Sequence, residues 1–167
     1  MPDVSWGAVA FLAFVIVQRL IELVIAKRNT ARLLAKGARE HGAEHYPFIV
    51  ALHTAWIIAM VVLGYDEPVN LVFLAIFAVL QAARLWILVS LGERWTTRII
   101  VTDEPLVERG PFGFMQHPNY ALVCAEIFIA PVVLGLVWVA FAFSALNAAM
   151  LFVRIRAEER ALGLRAD

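Results

Sequence analysis

The sequence predicts an all-α polytopic integral membrane protein of five transmembrane helices, the last two folded as a helical hairpin. Three observations carry that expectation. The chain has 167 residues, 62% of them hydrophobic, with a mean hydropathy of +0.80, whereas soluble domains are about 45–50% apolar. Its apolar runs reach the ~20 residues that cross a bilayer. Its basic residues also gather in alternate connecting segments, the asymmetry that orients membrane helices.

Taken in order, the first span is predicted from about Gly7 to Ala26, the second from about Pro47 to Leu63 and the third from about Val69 to Leu91. A polar, turn-rich insert, Arg109-Gly-Pro-Phe-Gly-Phe-Met-Gln-His-Pro-Asn-Tyr120, follows. The apolar stretch from Ala121 to Val153 is too long for one span and just enough for a tight hairpin, with Pro131 and Gly135 marking the turn or kink. Lys27, Arg28, Arg32, Lys36 and Arg39 lie after span one, Arg94, Arg98 and Arg109 after span three, and Arg156, Arg160 and Arg165 after span five. The other side carries Asp3, Asp66 and Glu67. Basic segments stay cytoplasmic, so the N-terminus is expected outside, with the C-terminus and both polar clusters inside, in the inner (cytoplasmic) membrane. The first segment has no basic n-region or cleavage site and reads as a retained anchor. No repeat or linker divides the chain, so residues 1–167 are expected to form one domain.

Net charge is zero, which gives no case for nucleic-acid binding. One cysteine, Cys124, excludes an intrachain disulfide, and no zinc-ligand spacing is present, so no metal is expected. The lipid bilayer is the partner that composition implies; the sequence does not set the oligomeric state.

The insert is one candidate site. Gly110-Pro111 and His117-Pro118 break its backbone. Unpaired backbone groups near a bilayer must be buried in protein or face a watery cavity or ligand. Two readings stand: a cofactor cradle with side-chain contacts from His117, Asn119 and Tyr120, or an interfacial loop anchored by Tyr120. The second candidate is Arg154-x-x-x-Glu158-Glu159, where Arg154 and Glu158 share a helix face. It is either a helix end with an ion pair or a cation-binding carboxylate beside an anion-orienting arginine. Arg19 and Glu22 inside span one read as a structural ion pair or pocket residues. Arg84 and Glu126 are further buried-charge candidates, Glu126 pairing with an arginine or lining the substrate pocket. Asn147 fits a helix–helix hydrogen bond. Glu44-His45-Tyr46 and His53 open span two, as an interfacial helix start or as acid/base and substrate contacts. Trp95 is a belt anchor or a pocket residue.

These residues resemble the isoprenylcysteine carboxyl methyltransferase family. The matching segments are Gly110-Pro111-Phe112, His117-Pro118-Asn119-Tyr120 and Arg154…Glu158-Glu159. Arg19-Leu-Ile-Glu-Leu23, Ala26-Lys-Arg-Asn29, Glu44-His-Tyr46 and Leu91-Gly-x-x-Trp-Thr-Thr97 are similar to a bacterial branch that accompanies type III polyketide synthases and O-methylates alkylpyrones or alkylresorcinols. The resemblance implies S-adenosylmethionine as methyl donor, in a cytoplasmic-side pocket from about 92–120 and 147–162. It implies that Gly110, Pro111, His117, Pro118, Asn119, Tyr120 and Glu159 hold the cofactor. Arg154 and Glu158 would be catalytic, and Glu44, His45, His53, Trp95 and Glu126 would meet the acceptor. Gln116 departs from the family's usual arginine, and the sequence ends at Asp167, without the aromatic-rich tail of prenylcysteine enzymes. A small lipid acceptor is thus expected ahead of a prenylated protein. The other readings are an NADPH-dependent, steroid-reductase-like enzyme, which shares a His-Pro-x-Tyr step, and a non-catalytic lipid-binding protein.

Overall fold

A computed structural model describes residues 4–163; Asp3 and Arg165, used above for orientation, lie outside the described residues. Five helices form the body: α1 (Trp6–Ala35), α2 (Tyr46–Gly64), α3 (Leu71–Leu91), α4 (Pro118–Val133) and α5 (Val137–Ala161). Each start has a chemical cause. Ser5 and Asn70 cap α1 and α3, their side chains accepting from Ala8 N and from Val72 N and Phe73 N. Prolines stand in the first turns of α2 and α4, where a missing N–H costs nothing. α3 stops at Gly92, whose φ of 55° closes the last turn.

Four helices, α1, α2, α3 and α5, are long and apolar enough to cross a membrane, and α4 is a shorter apolar helix. At 1.5 Å per residue, the 16 residues of α4 reach only about 24 Å. The shortness has a structural source. The C-terminal end of α4 lies beside the start of α3, where Asn70 N donates to Val133 O at 2.8 Å. Its N-terminal end meets Arg84 through Asn119, two turns below the end of α3. The insert therefore dips between the helices. The connection from α4 to α5 spans 134–136, with Gly135 at φ 70° and Leu136 N donating to Pro131 O.

Two three-residue strands accompany the helices. Arg39–His41 (β1) and Ile99–Val101 (β2) pair antiparallel, Arg39 opposite Val101 and His41 opposite Ile99. This pairing ties the α1–α2 connection to the segment after α3. Tyr46 strengthens it by bonding Thr97 at 3.1 Å, while Arg98 reaches Glu40 at 2.7 Å and lies over the Tyr46 ring. The polar ends of α1, α3 and α5 and the starts of α2 and α4 thus gather at one end of the bundle.

The main core sits toward the opposite end, around Phe11, Val15, Trp56, Met60, Phe77, Ile127 and Val133. A smaller cluster of Ala26, Ile87, Trp95 and Leu122 lies under the polar end. Large apolar side chains such as Val24, Val62, Val79, Val89 and Trp138 point outward. In water such a surface would mark a binding site; around a helical bundle of span length it is the lipid-facing surface.

Candidate active site: two chambers and a shared wall

Charge is organised first within the bundle. Glu126, wholly buried on α4, accepts from Arg19 Nη2 at 2.6 Å, from Arg84 Nε at 3.1 Å and closely from Arg84 Nη2. Glu22 accepts from Arg19 at 2.7 Å and from Gln18 at 2.9 Å, and lies 3.5 Å from Arg84. Two arginines and two glutamates therefore cancel, joining α1, α3 and α4. Arg84 Nη1 is not taken by Glu126 and donates to Asn119 Oδ1 at 3.2 Å. That bond fixes the Asn119 amide with its NH2 turned away from the quartet.

Above the quartet lie two cavities. The inner chamber, about 180 Å3, is mostly apolar; Arg19, Glu22, Tyr46, His53 and Arg84 supply its polar wall, with Ile49, Ile57, Val123, Met150 and Leu151 around them. Leu23, Val50 and Thr54 line it and are also exposed on the outer surface of α1 and α2, so it opens toward the lipid between those helices. The outer chamber, about 520 Å3, is more polar and is bounded by the 94–108 segment, Gln116, His117, Glu158 and Leu162. Both volumes face a common partition of Trp95, Thr96, Asn119, Tyr120 and Arg154.

The partition is held rigidly. Asn29 donates to the carbonyls of Gly92 and Trp95 at 3.2 and 2.9 Å, pinning the Trp95 turn to α1. Arg154 Nε donates to Tyr120 Oη at 2.9 Å, and Tyr120 Oη in turn donates to Glu158 through a short bond. The Tyr120 ring stacks on His117 at 5.3 Å. Arg154 is thus oriented through Nε, while Nη1 and Nη2 make no hydrogen bond among the described residues. Two polar atoms beside the partition, Trp95 Nε1 and His117 Nε2, are buried without a partner there. An orphan of this kind costs roughly 1–3 kcal/mol, which is tolerated where a ligand supplies the missing bond.

Of the residues predicted for the site, His117, Asn119, Tyr120, Arg154 and Glu158 line the outer chamber, and His53 and Trp95 the inner one. Others lie elsewhere. Glu126 is spent on the arginines and lines neither chamber. The Glu44 side chain is exposed, 83% accessible, and His45 is buried against Gly42, where an added Cβ would overlap its ring. Gly110 and Pro111 shape the insert: Gly110, at φ 63°, presses on Ser90 and Trp86, so a Cβ would collide with the Ser90 hydroxyl. Pro118 is buried in the first turn of α4, and Glu159 lines neither chamber. Met150 and Leu151 fall within the expected 147–162 pocket segment but were not singled out, although 147, 150, 151, 154 and 158 form one helical stripe on α5, a spacing that would have found them.

The fold and site define a helical integral membrane protein with a polar chamber joined by one wall to an apolar, lipid-facing chamber. Residues 71–163 match the model of the isoprenylcysteine carboxyl methyltransferase family. The chain is 40% identical over 157 residues to the uncharacterized protein YpbQ of Bacillus subtilis, covering 90% of this chain and 94% of that protein. It is 26% identical over 157 residues to an uncharacterized protein of Haemophilus influenzae, covering 90% and 91%. No solved structure matches it. The chain belongs to the isoprenylcysteine carboxyl methyltransferase family, and that membership suggests a membrane methyltransferase.

Proposed function

We propose that this protein is an S-adenosylmethionine-dependent O-methyltransferase acting at the membrane on a small lipophilic acceptor. The acceptor is an alkylpyrone- or alkylresorcinol-type lipid, or an isoprenylcysteine-like carboxylate. The observation that carries the reading is the partition common to a polar and an apolar chamber. A charged nucleoside and an oily acceptor need different solvents, yet their reacting atoms must touch.

The outer chamber fits the methyl donor. Its volume falls in the range of about 300–1,000 Å3 usual for small-molecule sites. Its wall offers the orphan His117 Nε2, the Arg154 guanidinium for a carboxylate, and the Glu158 carboxylate for an ammonium. When bound, the donor supplies an electrophilic methyl group. His117, Asn119 and Tyr120 position it; Gly110, Pro111 and Pro118 act by shaping that segment, and Glu159, outside both chambers, acts from the helix end beyond Glu158. Alignment of donor and acceptor supplies about 7–11 kcal/mol of the barrier reduction in such reactions, consistent with a wall locked by Asn29, Arg84 and Tyr120. Arg154 stabilises the acceptor oxyanion, and the proton goes to Glu158 or a neighbouring histidine.

The protein is one domain of five crossings in the inner membrane, α4 completing the fifth because the insert dips to meet it. The N-terminus is outside, with the chambers and C-terminus on the cytoplasmic side. Basic residues of three segments support that orientation. The test uses purified full-length protein in lipid nanodiscs. Calorimetry detects S-adenosylmethionine binding, and labelled methyl transfers to alkylresorcinol or alkylpyrone. Binding of NADPH instead assigns the chain to reductase chemistry, and binding of neither nucleotide removes the enzymatic reading.

A further inference from the structure

Two chambers imply a division of labour among the ionisable groups, and one histidine stands on the acceptor's side. His53, on α2, lines the inner chamber only. Its Nδ1 lies 2.9 Å from the Ile49 carbonyl. A carbonyl only accepts, so Nδ1 carries the proton and Nε2 presents a lone pair in the neutral ring. No hydrogen bond engages Nε2 among the described residues, and the residue lines the chamber. The competing bases are engaged or misplaced. Glu158 lines the outer chamber only and is held by Tyr120. Glu22 lines the inner chamber but accepts from Arg19 and Gln18, and Glu126 lines neither.

We infer that His53 Nε2 is the general base for the acceptor in the inner chamber, and that this acceptor is a weakly acidic hydroxyl compound, a phenol. The inference rests on the methyltransferase reading above and narrows it. A carboxylic acid, with a pKa of about 4, reaches the site already ionised and needs no base. A phenol, with a pKa near 10, arrives protonated. The acceptor O–H proton passes to Nε2 as the oxygen bonds the donor's methyl carbon. The carbon–sulfur bond breaks with its electron pair remaining on sulfur, leaving the methyl ether and S-adenosylhomocysteine. The imidazolium returns its proton to water as the ether leaves. The charged groups facing the ring are Arg19 and Glu22 of α1, Arg84 of α3 and Arg154 of α5, with Tyr46 and Tyr120 also on the wall.

The experiment compares the wild type with His53→Gln in nanodiscs on three acceptors of equal chain length: an alkylresorcinol, a ring-fluorinated alkylresorcinol ionised at the assay pH, and a fatty acid. His53→Gln is expected to lower kcat on the alkylresorcinol by about 10²–10⁴-fold. The wild type is expected to show a rise of kcat/KM with pH that His53→Gln abolishes. S-adenosylmethionine affinity and the rate on the fluorinated acceptor stay within a few-fold. An equal loss on both phenols makes His53 structural and overturns the inference, as does no loss on either. So does a wild type that binds S-adenosylmethionine but methylates only the fatty acid. A wild type that binds no S-adenosylmethionine removes the methyltransferase reading beneath it.

Discussion

Replacing Glu126 with alanine is expected to destabilise the bundle more than any other single change at the polar end. Glu126 is fully buried and accepts from Arg19 Nη2 at 2.6 Å, Arg84 Nε at 3.1 Å and Gln81 at 3.3 Å. Its removal turns a neutral quartet into one with a net positive charge and two under-satisfied guanidinium groups. Breaking a buried pair in this way costs about 3–5 kcal/mol, hence a change of roughly 10²–10⁴ in the unfolding constant at 1.4 kcal/mol per tenfold. Glu126→Gln keeps the shape and one acceptor oxygen and is expected to cost about half as much. Glu126→Met combined with Arg84→Met leaves Arg19 with Glu22 and is expected to recover much of the loss. Steric trapping in bicelles measures the equilibrium. Trp56, whose indole donates to the neighbouring Ile127 carbonyl at 3.2 Å, is a fluorescent reporter at the same place. A loss below about 1 kcal/mol for Glu126→Ala, no larger than that of an exposed pair, would show that the quartet does not join α1, α3 and α4 energetically.

Three further outcomes test the site. Tyr120→Phe removes the hydroxyl between Arg154 and Glu158 and is expected to slow single-turnover methyl transfer about 5- to 150-fold, from the roughly 1–3 kcal/mol of two unpaired partners. Asn29→Ala frees the Trp95 turn, which borders both chambers, from α1; the acceptor KM rises several-fold and S-adenosylmethionine affinity, read by calorimetry, falls with it. Gly110→Ala forces a side chain into left-handed backbone against Ser90 and lowers stability by about 1–2 kcal/mol, read as a shift in thermal unfolding.

The spans were legible because lipid rewards apolar length, and α2 and α3 begin and end within two residues of the expected bounds. α1 runs nine residues beyond Ala26 to Ala35, since Lys27, Arg28 and Arg32 leave the bilayer without breaking the helix. Hydropathy marks where the solvent changes, and the backbone need not change there. The three-residue strands were invisible because neither segment has the alternation that marks a strand. The Arg19–Glu22 pair followed from helical spacing, but the pairing of Glu126 with Arg84 joins residues 42 apart and needed the fold. His117, Tyr120 and Arg154 stood out because broken backbone and buried charge are expensive, and the fold brings all three to the outer chamber. Glu44 carried the same polar signal yet lies in water, where charge costs nothing and signals nothing.

The common wall has separate mouths, one toward the acyl chains through Leu23, Val50 and Thr54 and one at the polar end of the bundle. Neither ligand blocks the other's route. On the proposed function, a methylated lipid would drift back into the leaflet while the spent nucleoside departs into the aqueous phase. Turnover would then have no compulsory sequence of arrivals, and a membrane crowded with product would slow the catalyst without stranding the nucleoside inside it.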